Sequence, residues 1–284
     1  MTPTSSQLPL TRRSQLGPPI MVDAHVHIHE CFHLGQFLDA AARNFTSAIH
    51  DHANRQEAAG ALLLTEVEGA CVFDSLRAAS GVLMSQLGDW QAYSTPDPRA
   101  LLFESPSTLP LLLIAGRQIR VRGRLEVLAL GCLDTFPDGM AIEEALRRTR
   151  DSSSLPVLPW GFGKWTLSRG RQIRELIVHE DPDALCLGDV GGRWRGLSEP
   201  SLLAEGRSRG FAVLPGSDPL PFPGHVGRAG SSGLVLPLAL QLDHAAEDLL
   251  QSLPQDETGA VTYMELERLG PFVLHQIRMQ LRKI

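Results

Sequence analysis

Residues 19–28, PIMVDAHVHI, decide how the rest of the chain is read. The run is apolar and short enough to be a buried strand, and it carries Asp23, His25 and His27 towards its far end. Side chains two apart on a strand project to the same face, so His25 and His27 present two imidazoles side by side. Two such rings grip one metal ion, with Asp23 or a neighbouring carbonyl behind them. The alternative is one core histidine held by a hydrogen bond and one lining a cleft. A paired H-x-H on an apolar strand favours the metal.

Apolar runs of the same kind recur downstream, at residues 60–67, 111–119, 125–131, 155–162, 184–190 and 211–216. Helical patterns separate them, at 34–49, from 71 to near 84, and at 141–150, 172–179 and 200–210. Near-continuous apolar strands alternating with helices point to a sheet covered on both faces, and six or seven such units favour a closed α/β barrel. Residues 89–110 break the rhythm with two β-like pieces, 91–94 and 100–104, read as an excursion from the barrel. A turn near Gly123 predicts a hairpin between 111–119 and 125–131. Residues 261–284 read as mostly helical, interrupted at Gly270-Pro271. The expected organisation is a disordered tail over 1–19 and one domain over 20–284.

The chain has 284 residues, 43% of them hydrophobic, and a formal net charge of −6. That charge offers no field for polyphosphate, so nucleic acid and anionic membrane are poor partners and a small polar or anionic substrate is the better one. The basic runs 117–124 and 169–174 are interleaved with apolar residues and read as solvated faces. Cys31, Cys71, Cys132 and Cys186 form no C-x-x-C pair and read as reduced thiols of a cytoplasmic protein. Arg12-Arg13 lacks the apolar run an export signal needs, and no run is long enough to span a membrane. The oligomeric state is not written in the chain.

In a parallel barrel the chemistry sits where strands end. Glu66 ends the second run, Lys164 follows the 155–162 run, Asp189 ends the 184–190 run, and Ser217-Asp218 follows the last. Asp218 and Glu66 are the carboxylates expected to join His25 and His27 in a mixed N/O site for Zn, Mn or Fe, one ion per chain. Capping or turn roles are their alternatives. Lys164 and Arg193, the latter beside Gly191-Gly192, are candidates to steady an anionic group. Lys164 is equally explained by its stem packing near Trp160 and Trp165. His29, His33, His50 and His52 read as helix or surface residues.

The succession Asp23-Ala24-His25-Val26-His27, Leu64-Thr65-Glu66-Val67, Gly116-Arg117-Gln118-Ile119, residues 125–131 and Gly216-Ser217-Asp218-Pro219-Leu220 resembles the polymerase-and-histidinol-phosphatase (PHP) family. The resemblance implies a distorted (β/α)7 TIM-like barrel with bound metal ions and phosphoester hydrolysis. Three positions depart from the family pattern. Val67 and Leu220 stand where the family has histidine ligands, and Gln118 stands where it has a metal-bridging glutamate. His25, His27, Asp218 and Glu66 therefore remain, enough for one ion. On this reading the chain is a metal-dependent hydrolase with Glu66 as ligand or general base and Lys164 or Arg193 on the substrate. The alternative is an inactive PHP-like barrel that binds a ligand or a protein.

Overall fold

The computed structural model describes residues 13–49, 57–81, 85–253 and 259–281. Its strands are β1 (Gln15–Leu16), β2 (Ile20–Val26), β3 (Ala59–Leu64), β4 (Gln91–Ser94), β5 (Ala100–Glu104), β6 (Leu111–Ile114) and β7 (Gly116–Arg120). They continue as β8 (Glu126–Leu130), β9 (Leu155–Trp160), β10 (Cys186–Asp189), β11 (Val213–Pro215), β12 (Ser232–Leu236), β13 (Leu240–Gln241) and β14 (Val261–Met264). The α-helices are α1 (Leu34–Ala48), α2 (Val72–Ala78), α3 (Ile142–Asp151), α4 (Leu167–His179), α5 (Ser201–Ser208), α6 (Ala245–Ser252) and α7 (Leu269–Leu281).

These strands form three sheets among the described residues. One has seven strands in the order β14-β12-β2-β3-β6-β5-β4, a second has five in the order β11-β10-β9-β8-β7, and β1 pairs with β13. Strands β2, β3 and β6 run parallel, as do β9, β10 and β11, while the flanking pairs are antiparallel.

The closed (β/α)7 TIM-like barrel expected from the sequence is not what this chain forms. The seven-stranded ladder ends at β14 and β4, the five-stranded ladder at β11 and β7, and neither closes on itself. The cause lies in the connections. A β/α barrel needs a parallel strand after a crossover helix at every step. Here β4, β5 and β6 form a meander and β7–β8 a hairpin, so antiparallel neighbours interrupt the series on both sheets. The run 111–119, read as one strand, divides at Ala115, and the chain passes there from one sheet to the other. A single bridge between Glu66 and Arg117 spans the junction.

The two large sheets face each other. Val22, Ala24, Leu63 and Ile114 of one pack with Leu128, Val157, Cys186 and Leu214 of the other in a shared core. The outer face of the seven-stranded sheet buries Met21, Leu62, Leu64 and Leu113 under α1, with Phe37 and Phe45. The outer face of the five-stranded sheet buries Val127, Leu158 and Leu187 under α3, α4 and α5. Strands covered on both faces have no polar side, which is why they read as continuous apolar runs. Burial of each such leucine, valine or isoleucine contributes roughly 1.5–3 kcal/mol.

Of the segment 1–19 expected to be disordered, residues 13–19 are described, and Gln15–Leu16 pairs antiparallel with Leu240–Gln241 while Leu16 is buried. The 261–284 segment, read as mostly helical, begins with strand β14, and Gly270-Pro271 lies in the first turn of α7 rather than interrupting it. Proline there loses no helical hydrogen bond. His50, His52 and Met84 lie outside the described residues.

Candidate metal centre

Strand β2 supplies the first half of the site through an irregularity. Asp23 pairs with Leu62 and Val26 with Leu64, so β2 spends one more residue than β3 over this stretch. Such a bulge re-aims side chains. Val22 and Ala24 face the core between the sheets, but Val26 packs on the outer face, so the alternation flips at this point. His27 lies one residue beyond the strand. Simple alternation is therefore not what aligns the two rings; the bulge and the strand exit do it together.

The second half comes from the turn after β11. The Asp218 N–H donates to the His25 carbonyl oxygen (2.9 Å), tying that turn to β2. Gly216 makes the approach feasible, since a Cβ there would lie 2.4 Å from His25 Cβ and 2.7 Å from its backbone nitrogen. Asp23 holds the turn from beneath. Its buried carboxylate accepts from the Ser217 N–H (2.9 Å), the Ser217 hydroxyl (2.5 Å), the Gly230 N–H (2.8 Å) and the His25 N–H (3.3 Å). Burial pushes the Asp23 carboxyl up to about 7 against those four hydrogen bonds, which favour the ionised form.

Three ligand atoms converge above this frame. His25 Nε2 lies 3.1 Å from His27 Nε2 and 3.7 Å from Asp218 Oδ1, and His27 Nε2 lies 3.5 Å from the same oxygen. A tetrahedral ion with bonds of about 2.0–2.1 Å holds its ligands about 3.3–3.4 Å apart, so the triangle has the size such an ion needs. Burial, foremost, lowers both histidines, His27 to about 3, so their nitrogens offer lone pairs rather than protons at neutral pH. For Asp218 burial works upwards, but the His25 and His27 rings, with Lys164 and Arg228, outweigh it and hold the group low. His25 Nδ1 is buried without a hydrogen bond, although the Gln118 side chain stands near enough to favour the charged ring. That nitrogen is free to carry the proton while Nε2 keeps its lone pair. Two imidazoles and a carboxylate fit a Zn, Mn or Fe ion.

The triangle opens on a cavity of about 160 Å³. Lys164 and Arg228 bring positive charge to its wall, each paired with a carboxylate: Lys164 with Glu126, and Arg228 Nη1 with Glu267 Oε1 at 3.1 Å. Phe162, Trp160 and Phe272 form its apolar side. His225 and His275 complete the rim, their Nε2 atoms 3.1 Å apart.

The structure brings His25, Asp218 and Lys164 to this cavity, with His27 beside them in the triangle, and leaves Glu66 and Arg193 out. Glu66 ion-pairs with Arg117 and accepts from the Phe73 N–H (2.9 Å), on the wall of a separate cavity of about 290 Å³. Both members of that pair are buried, so the carboxylate is fully engaged. Arg193 Nη1 donates to both oxygens of Asp189 (2.5 and 2.7 Å), and its guanidinium lies over the Trp160 ring. His29 Nε2 bonds the Pro219 carbonyl oxygen (2.8 Å), which makes it a brace of the Asp218 turn. Arg228, His225, Glu267 and His275 went unnoticed in the sequence. None ends an apolar run, and only the fold of the last sixty or so residues brings them here.

No protein-family model matches the chain, and no curated protein does. The chain is similar to the crystal structure of PsfC from Pseudomonas syringae PB-5123, with a TM-score of 0.56 and 15% identity over 92% of this chain and 98% of that one. At that identity the likeness concerns the fold alone. Among the described residues no helix is long and apolar enough to cross a membrane.

Proposed function

We propose that the protein is a metal-dependent hydrolase of the PHP type, acting in the cytoplasm on a phosphoester or similar small anionic substrate. The observation that carries this reading is the convergence of His25 Nε2, His27 Nε2 and Asp218 Oδ1 beside a cavity whose other charged groups are two cation–carboxylate pairs, Lys164–Glu126 and Arg228–Glu267. His25, His27 and Asp218 would hold one Zn, Mn or Fe ion, which supplies water acidic enough to ionise near neutrality. Lys164 and Arg228 orient the anionic group, each exchanging part of its carboxylate pairing for substrate oxygens. Phe162, Trp160 and Phe272 pack the uncharged part of the substrate and exclude bulk water. Neither Glu66 nor Arg193 takes part, because each is spent on a buried partner. The free cysteines agree with a reducing compartment.

Elemental analysis of untagged protein tests the reading. About one Zn, Mn or Fe per chain is expected in the wild type and none in the His25→Ala/His27→Ala double variant, with phosphomonoester hydrolysis lost alongside. A wild type that takes up no ion from any of the three metals would sink it. Metal uptake without turnover on any phosphoester would leave a metal-containing binding module.

A further inference from the structure

His225, His275 and Glu267 have the residue types of a second metal site at the same cavity, and one ligand atom from each lies within 4.8 Å of the others. Their protons argue against one. The Leu220 N–H donates to His225 Nδ1 (3.1 Å), and a nitrogen that accepts carries no proton, so the neutral ring has its proton on Nε2. That proton points at His275 Nε2, 3.1 Å away. His275 is then protonated on Nδ1, which donates to Glu267 Oε2 at 3.1 Å. Arg228 fixes the other carboxylate oxygen.

Although the ligand atoms lie close together, the hydrogen bonds run in a line, because His275 uses its two nitrogens for different partners. In the first cluster each residue uses one atom and the three atoms close a triangle. An ion between the two Nε2 atoms would need the lone pair of His225 Nε2. Its proton would move to Nδ1 and face the Leu220 N–H, donor against donor. Nothing comparable blocks His25, whose Nδ1 has no hydrogen bond.

The line ends on the turn that carries Asp218. Asp218 has φ +40°, left-handed and strained for a residue with a Cβ, so its neighbours must hold it. Three bonds do so: Asp218 N–H to the His25 oxygen, Pro219 oxygen to His29, and Leu220 N–H to His225. The third is backed by His275, from within α7, and by Glu267 just before that helix.

We propose that His225, His275 and Glu267 form no second metal site but a proton-ordered chain of positioning residues that fastens the C-terminal helix to the Asp218 turn. The proposal rests on His25, His27 and Asp218 being the metal site.

Long-range 1H–15N NMR of histidine-labelled protein, recorded metal-free and then with one equivalent of Zn2+, reads the proton positions directly. His225 is expected to carry its proton on Nε2 and His275 on Nδ1 in both states, while the His25 and His27 signals shift on zinc addition. Zinc titration is then compared across variants whose thermal unfolding confirms that they fold. His225→Ala should weaken the single zinc site about 10–100-fold without removing an equivalent. His225→Asn, whose Oδ1 stands where Nδ1 was, should recover most of that loss. A second zinc equivalent that disappears in His225→Ala would overturn the proposal. So would a proton moved to His225 Nδ1 by zinc, or unchanged affinity in a folded His225→Ala. No zinc uptake by the wild type would instead remove the metal reading beneath it, and the proton order of the metal-free protein tells the two failures apart.

Discussion

Glu66 shows how a residue of the right chemical type in the right kind of place can serve another purpose. Its position at the end of an apolar run suggests a ligand, yet the next strand but three supplies Arg117, which takes its charge and one oxygen while the Phe73 N–H takes the other. No local signal foretells that pairing, since the partners are 51 positions apart and meet only when β3 and β7 adjoin. Removing one partner of a buried ion pair strands the other's charge, at about 3–5 kcal/mol. Arg117→Ala should therefore lower stability by that much in urea unfolding. Glu66→Gln should leave the zinc affinity of the folded protein within about twofold of wild type. A large loss of affinity in Glu66→Gln would return Glu66 to the metal site. His25, His27 and Asp218, by contrast, were readable in the sequence because a short motif and a strand end put them forward.

Among elements, the buried strands were the clearest part of the sequence. Runs with both faces covered are mostly apolar, and β2, β3, β5, β9 and β10 fall within or beside the runs that announced them. What the pattern did not contain was how strands break and turn. The bulge in β2 leaves no mark in composition, nor does the division at Ala115 or the strand character of 261–264. The turn after β11 depends on a close approach rather than on a pattern, and Gly216 is where that dependence is testable. A Cβ at 216 meets the His25 backbone, which cannot yield as a flexible side chain would. Gly216→Ala should push the Asp218 turn away from β2 and weaken zinc binding at least tenfold, measured by competition with a chelator. An unchanged affinity would show that the turn adapts at no cost to the site.

For the whole molecule, single-sequence periodicity distinguished covered sheets from exposed ones but not one closed sheet from two facing ones. Both arrangements bury the same apolar surface, and the hairpins that decide between them involve only a few turn residues. The site's electrostatics also act at this scale. His27, held near 3, and His225, held near 4, stay neutral in the folded chain while the unfolded chain protonates them below about 6.5. Stability from these groups is thus complete above about pH 6.5 and is lost as pH falls towards their folded values. Below about 6.5 each such ring costs up to about 1.4 kcal/mol per pH unit. The Asp23 carboxyl, raised to about 7, acts in the opposite sense over the same range, so the readout is a difference: between pH 7 and pH 5 the metal-free wild type should lose more unfolding free energy than His27→Gln does. Equal slopes in the two proteins would mean that His27 titrates normally in the folded state.

The frame of the site joins Asp23 to Ser217, 194 positions further on. During synthesis His25 and His27 wait, without Asp218, until the ribosome has made the stretch that separates Asp23 from Ser217. An ion captured before then would find only two imidazoles on an unfinished edge and would be held weakly. Firm loading would await synthesis of the Asp218 turn, so a tightly bound ion would report that two distant stretches of the chain had met.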